Sequence, residues 1–393
     1  MPTPHAAPAP LAPERAIPAS AARLPVVLAA ADLDALVQAL AGRGYRVLGP
    51  VARDGAIVID DVRHAADLPI GLEDVQGPGR YRLERREHDA FFAFTVGPHS
   101  WKQTFHVPVE RLFQIRRHKE GLSVLPDVTP RLQVALLGAR ACEIHAIEIQ
   151  DRILIHGEHP DPRYAARRGD VFVVAVNCMR AGNTCFCASM GTGPRAERGF
   201  DLALTELIES GAHRFLVEIG SDEGAAVAAE LPIRPANPEE IGAAASVSER
   251  TAAAMGRRLD TSGLKERLQK NLEHPRWDDV ATRCLACGNC TMVCPTCFCV
   301  EFEDTTDLAG ETAERTKRWE SCFTLGFSHV HGGSVRSSIK ARYRQWLTHK
   351  LAGWHDQFGS SGCVGCGRCI TWCPVGIDMT EEAAAVGQPE KDG

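Results

Sequence analysis

Hydrophobic spacing sets the first elements. Leu33, Leu36, Val37 and Leu40 fall on one helical face, and Gly42 and Gly44 close the run, which predicts a helix from about Ala31. Tyr45–Pro50 and Ala56–Asp60 read as two strands across Arg53-Asp54-Gly55, where Asp-Gly signals a turn. Tyr81 to Val109, with Phe91, Phe92, Phe94 and Phe105, alternates as further strand, and Val109 to His118 as a helix. From Leu132 the rhythm changes. Short apolar runs at Val134–Gly138, Val171–Val176 and Phe215–Ile219 read as strands. Between and beyond them, Ala139–Gln150, Leu202–Ser210 and Ala225–Leu231 read as helices. Pro232–Pro238 reads as a linker, and Ala243–Leu272 as mostly helical. Glu311–Cys322 and Val335–Phe358 complete the predicted helices.

The pattern gives an α/β (α+β) N-terminal domain followed by a mostly α-helical C-terminal domain. The expected boundaries are a disordered Ala/Pro leader at 1–24, an α/β domain at 25–275, an α-helical module at 276–380 and a flexible tail at 381–393. Composition is that of a globular chain: 393 residues, 44% hydrophobic and 24% charged. A formal net charge of −6 argues against nucleic acid as a partner. No apolar stretch is long enough to span a membrane. The N-terminus has no apolar core of a signal peptide, and a reducing cytoplasm is the expected location.

Fifteen cysteines change the picture. Cys284, Cys287, Cys290 and Cys294-Pro295 form one C-x2-C-x2-C-x3-C-P run; Cys363, Cys366, Cys369 and Cys373-Pro374 form another. This is the bacterial ferredoxin run for [4Fe–4S] clusters, in which the fourth cysteine serves the other cluster. Cluster 1 would take Cys284, Cys287, Cys290 and Cys373. Cluster 2 would take Cys363, Cys366, Cys369 and Cys294. Zinc needs only four ligands in a closed tetrahedron and leaves half of each run unexplained.

Seven cysteines remain. Thr184-Cys185-Phe186-Cys187 is echoed at Thr296-Cys297-Phe298-Cys299. Cys178 ends one predicted strand and Cys142 follows its neighbour. In a parallel sheet, residues past adjacent carboxyl ends meet in one crevice. Cys142, Cys178, Cys185 and Cys187 are therefore either a third Fe–S site or buried thiols. Cys297, Cys299 and Cys322 read as the environment of the first cluster. Arg368, inside the second run, would raise that cluster's potential. His145, His329 and His331 read as surface or loop histidines, and Gly191-Thr-Gly193-Pro194 lacks a dinucleotide-site context. The basic residues Arg336, Lys340, Arg342, Arg344 and Lys350 are a solvated face, a charge near a cluster or a docking surface.

Gly138-Ala-Arg-Ala-Cys142, Asn177 to Thr192, Arg283 to Cys299, Trp319-Glu-Ser-Cys322 and Arg342 to Pro374 together resemble one iron–sulfur protein family. That family includes the β subunit of NiFe sulfhydrogenases and the corresponding iron–sulfur component of anaerobic sulfite reductase. His331-Gly-Gly-Ser-Val-Arg336 and Arg342-Tyr-Arg-Gln-Trp346 resemble the hydrogenase branch more closely. The resemblance implies a cytoplasmic complex in which hydrogenase small and large subunits join a flavin- and NAD(P)-binding subunit. In it the chain would carry electrons and hold no catalytic residue. The rival expectations are a component of a sulfite reductase complex, a reductase whose substrate site lies beside Cys142, Cys178 and Cys185, and a zinc or nucleic-acid module.

Overall fold

A computed structural model describes residues 24–209 and 211–388. The expected leader therefore lies outside the described residues apart from Leu24. In chain order the strands are β1 Val26–Ala29, β2 Arg46–Arg53, β3 Ala56–Asp61, β4 Leu72–Gly77, β5 Arg80–Arg85, β6 Val109–His118 and β7 Gly121–Pro126. They continue as β8 Gln133–Ala139, β9 Asp170–Val176, β10 Leu202–Glu209, β11 Ala212–Ile219, β12 Ile233–Pro235, β13 Val300–Thr306 and β14 Thr312–Trp319.

The N-terminal part is built on an eight-stranded sheet in the order β12-β1-β11-β10-β9-β8-β2-β3. Its centre, β10-β9-β8-β2, is parallel and its margins are antiparallel. The helix Leu33–Gly42 buries Leu33, Leu36, Val37 and Leu40, the four residues its spacing marks. They join a core with Phe172, Val174 and Phe215. Parallel strands buried on both faces read as unbroken apolar runs. This explains why β10 resembles a helix in sequence: Leu202, Leu204 and Leu207 are all buried, and so is Glu206 between them. Glu206 accepts hydrogen bonds from the amides of Phe91 and Phe92, so its carboxylate is satisfied inside the protein. Only part of Tyr81–Val109 is strand. After β5 the chain runs as a loop, with Phe92 and Phe94 buried, to the short helix Lys102–Phe105.

Two further predicted helices are also strands. Val109–His118 is β6 and Thr312–Trp319 is β14; they pair in a four-stranded sheet ordered β13-β14-β6-β7. The C-terminal part is therefore mixed rather than mostly helical, and this sheet crosses the expected boundary at 275. Val335–Phe358 behaves as predicted from Ile339 onward, but His349–Gly353 widens into a π-helical turn. Ala243–Leu272 divides into two helices, Pro238–Ala253 and Leu264–Lys270. The expected flexible tail begins too early: Met379–Val386 is a helix with Met379, Ala383 and Val386 buried.

A buried ion network fastens the four-stranded sheet to the helix Pro162–Arg168. Glu110 on β6 pairs with Arg167, with Arg163 at 3.2 Å and with Lys317 on β14 at 3.2 Å. Lys317 also reaches Asp161 at 2.8 Å. Breaking a buried pair leaves uncompensated charge. Glu110→Gln is expected to cost about 3 kcal/mol in denaturant unfolding. Arg315→Ala, which removes the exposed Asp304 pair on the same sheet, should leave the unfolding midpoint nearly unchanged. Equal losses would contradict this reading of the network.

Candidate Fe–S centres

The two cysteine runs adopt the same backbone path. Ala286 and Gly365 occupy equivalent left-handed positions (φ 50° and 64°), as do Gly288 and Gly367 (φ 74° and 77°). In each run the amide two residues after the first cysteine points back at its sulfur: Ala286 N–H to Cys284 Sγ at 3.4 Å, and Gly365 N–H to Cys363 Sγ at 3.4 Å. Holding Ala286 in a conformation that L-residues avoid costs roughly 1 kcal/mol, and the loop that directs its amide at sulfur accounts for it.

Cys284, Cys287, Cys290 and Cys373 line one cavity of about 450 Å³. Cys294, Cys363, Cys366 and Cys369 line a second of about 310 Å³. The fourth cysteine of each run thus faces the cavity of the other run. Cys369, Trp346 and Met379 line both cavities and form the wall between them. Cys287 is exposed at the rim of the first cavity, while Cys366 is buried in the second. Among the described residues, no three ligand-type side chains are grouped to hold a single metal ion.

Charge around the second cavity is specific. Arg368 is buried and pairs with Glu143 at 2.5 Å, and it donates to the carbonyls of Gly97 and His99. Lys350 is buried in the π-helical turn. It donates to Cys294 Sγ at 3.3 Å, to Thr296 Oγ1 at 2.9 Å and to the Gly362 carbonyl at 3.0 Å. π-Turns redirect side chains at functional sites, and here the turn delivers an ammonium to a thiol. The Cys297 S–H, the Lys350 ammonium and the Thr296 hydroxyl hold Cys294 well below the ordinary thiol range. Burial pushes the Cys363 thiol up to about 12.

The four cysteines upstream converge as well. β8 and β9 are adjacent and parallel, and Cys142 and Cys178 follow their carboxyl ends. The Thr184–Cys187 loop closes over them. Its Phe186 amide donates to the Gly365 carbonyl at 2.8 Å, and Thr184 shares a hydrogen bond with Thr371 at 2.7 Å. Cys185 Sγ lies 3.9 Å from the Cys366 carbonyl. Burial raises all four thiols, with Cys185 at about 12, and the neighbouring thiols add to this at Cys142. Arg140 opposes the rise at Cys178. The Gly191–Pro194 stretch packs here too, with Thr192 donating to the Val364 carbonyl at 2.7 Å.

Other candidates resolve differently. Cys297 contacts Cys294, so it belongs beside the second cavity rather than the first. His145 pairs with Glu148 at 3.4 Å, and His329 and His331 are exposed. Three of the basic residues are spent within the protein: Arg342 on the Phe323 carbonyl, Arg344 on Glu273 and Lys340 on Asp278. Lys102, Arg140 and Glu143 carry no local sequence signal for their place at the thiols.

The 4Fe-4S dicluster domain family matches residues 283–377. Sulfhydrogenase 2 subunit beta of Pyrococcus furiosus is 34% identical over 280 residues, covering 70% of this chain and 79% of that protein. The chain belongs to this iron–sulfur subunit family. It is an electron-transfer iron–sulfur protein of the oxidoreductase class. No solved structure matches it. No helix among the described residues is long and apolar enough to cross a membrane.

The loop contact at the second run tests the geometry directly. A Cβ at Gly367 would lie 2.5 Å from the Thr184 carbonyl oxygen, whereas one at Gly359, also left-handed at φ 72°, would meet nothing within 4 Å. Gly359→Ala should therefore cost only the backbone preference, about 1 kcal/mol. Gly367→Ala should lower the thermal midpoint well beyond Gly359→Ala and detach the Thr184–Cys187 loop, read as new protease sensitivity there. Matching midpoints would rule out the close approach.

Proposed function

We propose that the chain relays single electrons in a cytoplasmic complex, linking a flavin- and NAD(P)-binding subunit with the small subunit of a NiFe hydrogenase of the sulfhydrogenase type. The carrying observation is the partition of eight cysteines into two cavities with a shared wall at Cys369, Trp346 and Met379. The donor set fits two [4Fe–4S] clusters with crossed fourth ligands: Cys284, Cys287, Cys290 and Cys373 for one, and Cys363, Cys366, Cys369 and Cys294 for the other. A cubane held by four thiolates leaves no open iron for substrate and supplies one-electron transfer. The protein excludes water from the inner site by burying Cys366 and leaves Cys287 at the surface, which gives the outer site the shorter path to a partner. Cys142, Cys178, Cys185 and Cys187 form the third site, adjoining the second through Cys366.

Lys350, rather than Arg368, supplies the uncompensated charge at the second site. Glu143 offsets Arg368, whereas Lys350 has no carboxylate within ion-pair distance among the described residues. Positive charge and N–H···S bonds raise cluster potentials.

A second reading, a reductase with its own substrate site, is favoured by one feature. A cavity of about 330 Å³ at the carboxyl end of β8 is lined by Trp101, Gly138, Arg140, Glu143 and Arg368. Ligands of α/β sheets bind at such ends. Reduction of sulfite or polysulfide by the isolated chain with an artificial donor would support it, and inertness would remove it.

Two measurements test the relay. Cys294→Ser should abolish the EPR signal of the cluster held by Cys363, Cys366 and Cys369, and Cys373→Ser that of the other; the reverse pattern would refute the crossing. In redox titrations, Lys350→Met should lower the second cluster's midpoint more than Arg368→Gln. A larger shift with Arg368→Gln would return the role to the arginine.

A further inference from the structure

Three thiols are not ligands of the sites above, although one of them, Cys297, contacts Cys294 beside the second cavity. Cys299 directly precedes β13, and Cys322 follows β14 by three positions. Val300 pairs with Trp319, and the Glu320 amide donates to the Cys299 carbonyl at 2.9 Å. The open end of the hairpin therefore brings Cys299 and Cys322 together, with Cys297 two positions upstream.

Two buried lysines meet the same thiols. Lys102 is 3% exposed; its Nζ lies 3.7 Å from the centroid of the Trp319 ring and 3.4 Å from the Met292 carbonyl. Lys350 is 4% exposed. Neither has a carboxylate within ion-pair distance among the described residues. Burying an unpaired ammonium costs several kcal/mol, and a second one beside it adds repulsion. Cys294 accepts from Lys350, but Lys102 contacts only a carbonyl and a ring face. Three thiols beside two buried lysines that lack a carboxylate suit a soft, anionic group. The repeated Thr-Cys-Phe-Cys segment points the same way, because its first copy supplies two of the four thiols that converge after β8 and β9.

We propose that Cys297, Cys299 and Cys322 hold a further iron–sulfur cluster whose negative charge is balanced by Lys102 and Lys350. The proposal rests on the reading of the chain as an iron–sulfur protein and extends it beyond the third site. Three thiolates leave one corner of a cubane without a cysteine from this set. That corner is open to a small donor, which none of the three other sites, each with four cysteines, provides.

The test uses the full chain, reconstituted anaerobically with iron and sulfide. Replacing Cys297, Cys299 and Cys322 together by Ala should remove about four irons per chain and one EPR component, while both dicluster signals remain, the second one shifted by loss of the Cys297 bond to Cys294. Lys102→Met should keep the iron and lower the midpoint of that component alone. If the triple variant retains the parent's iron count and spectrum, the proposal is overturned and the relay stands. A parent chain that takes up no iron would instead overturn the relay. Should the triple variant fail to fold, Cys322→Ser decides: a changed Mössbauer subsite with the iron retained supports the cluster, and an unchanged spectrum overturns it.

Discussion

The close approach of residues 184–187 to the turn at Gly365–Gly367 is the contact on which the rest depends. A Cβ at Gly365 would lie 2.7 Å from the Cys187 backbone, and one at Gly367 would lie 2.5 Å from Thr184. Both positions have positive φ, so glycine answers two demands at once: left-handed backbone and near-zero side-chain volume. Because the backbones can touch, the thiols past β8 and β9 come within reach of the second run. Together with the Arg368–Glu143 pair and the β6–β14 pairing, that contact fastens the α/β sheet to the dicluster module.

Electrostatics then explain why the interior tolerates so many cations. Lys102, Arg140, Lys350 and Arg368 are all buried, and all stand near cysteines. Glu143 balances Arg368 and accepts the Arg140 backbone amide at 3.1 Å. For the lysines the partner is sulfur. Thiols pushed up by burial are neutral until they bind iron, and binding releases their protons. The cations and the future thiolates therefore form one design: the charges that would destabilise a dry core stabilise its loaded state.

Much of this was legible in the sequence. The two runs announce themselves by spacing, and the crossing is expected from the fourth, proline-terminated cysteine in each. The meeting of Cys142 and Cys178 also follows from local signals, since each trails a short apolar run of the kind that packs in a parallel sheet. What was not legible is long-range pairing. Val109, Leu112, Phe113 and Arg116 are spaced as on a helix, yet they form β6 because β14 arrives to pair with them; Arg111 bonds Glu314, 203 positions later. Lys350 could not be told from its basic neighbours as surface charge, cluster charge or docking surface, since nothing nearby in sequence encodes the π-turn that points it inward. Lys102 sits in an undistinguished stretch and gains its role only when Trp319 closes over it.

The four-stranded sheet has a consequence for how the chain is made. Strands β6 and β7 emerge from the ribosome long before their partner, and Leu122, Val124 and Leu125 of β7 remain exposed even in the finished protein. Residue 312 follows β6 by about 190 positions, which is on the order of 10–40 s of synthesis. Throughout that interval β6 offers an unpaired edge to any passing strand. The charged side chains Glu110, Arg111, Arg116 and Arg117 along it guard the nascent protein against pairing with the wrong chain.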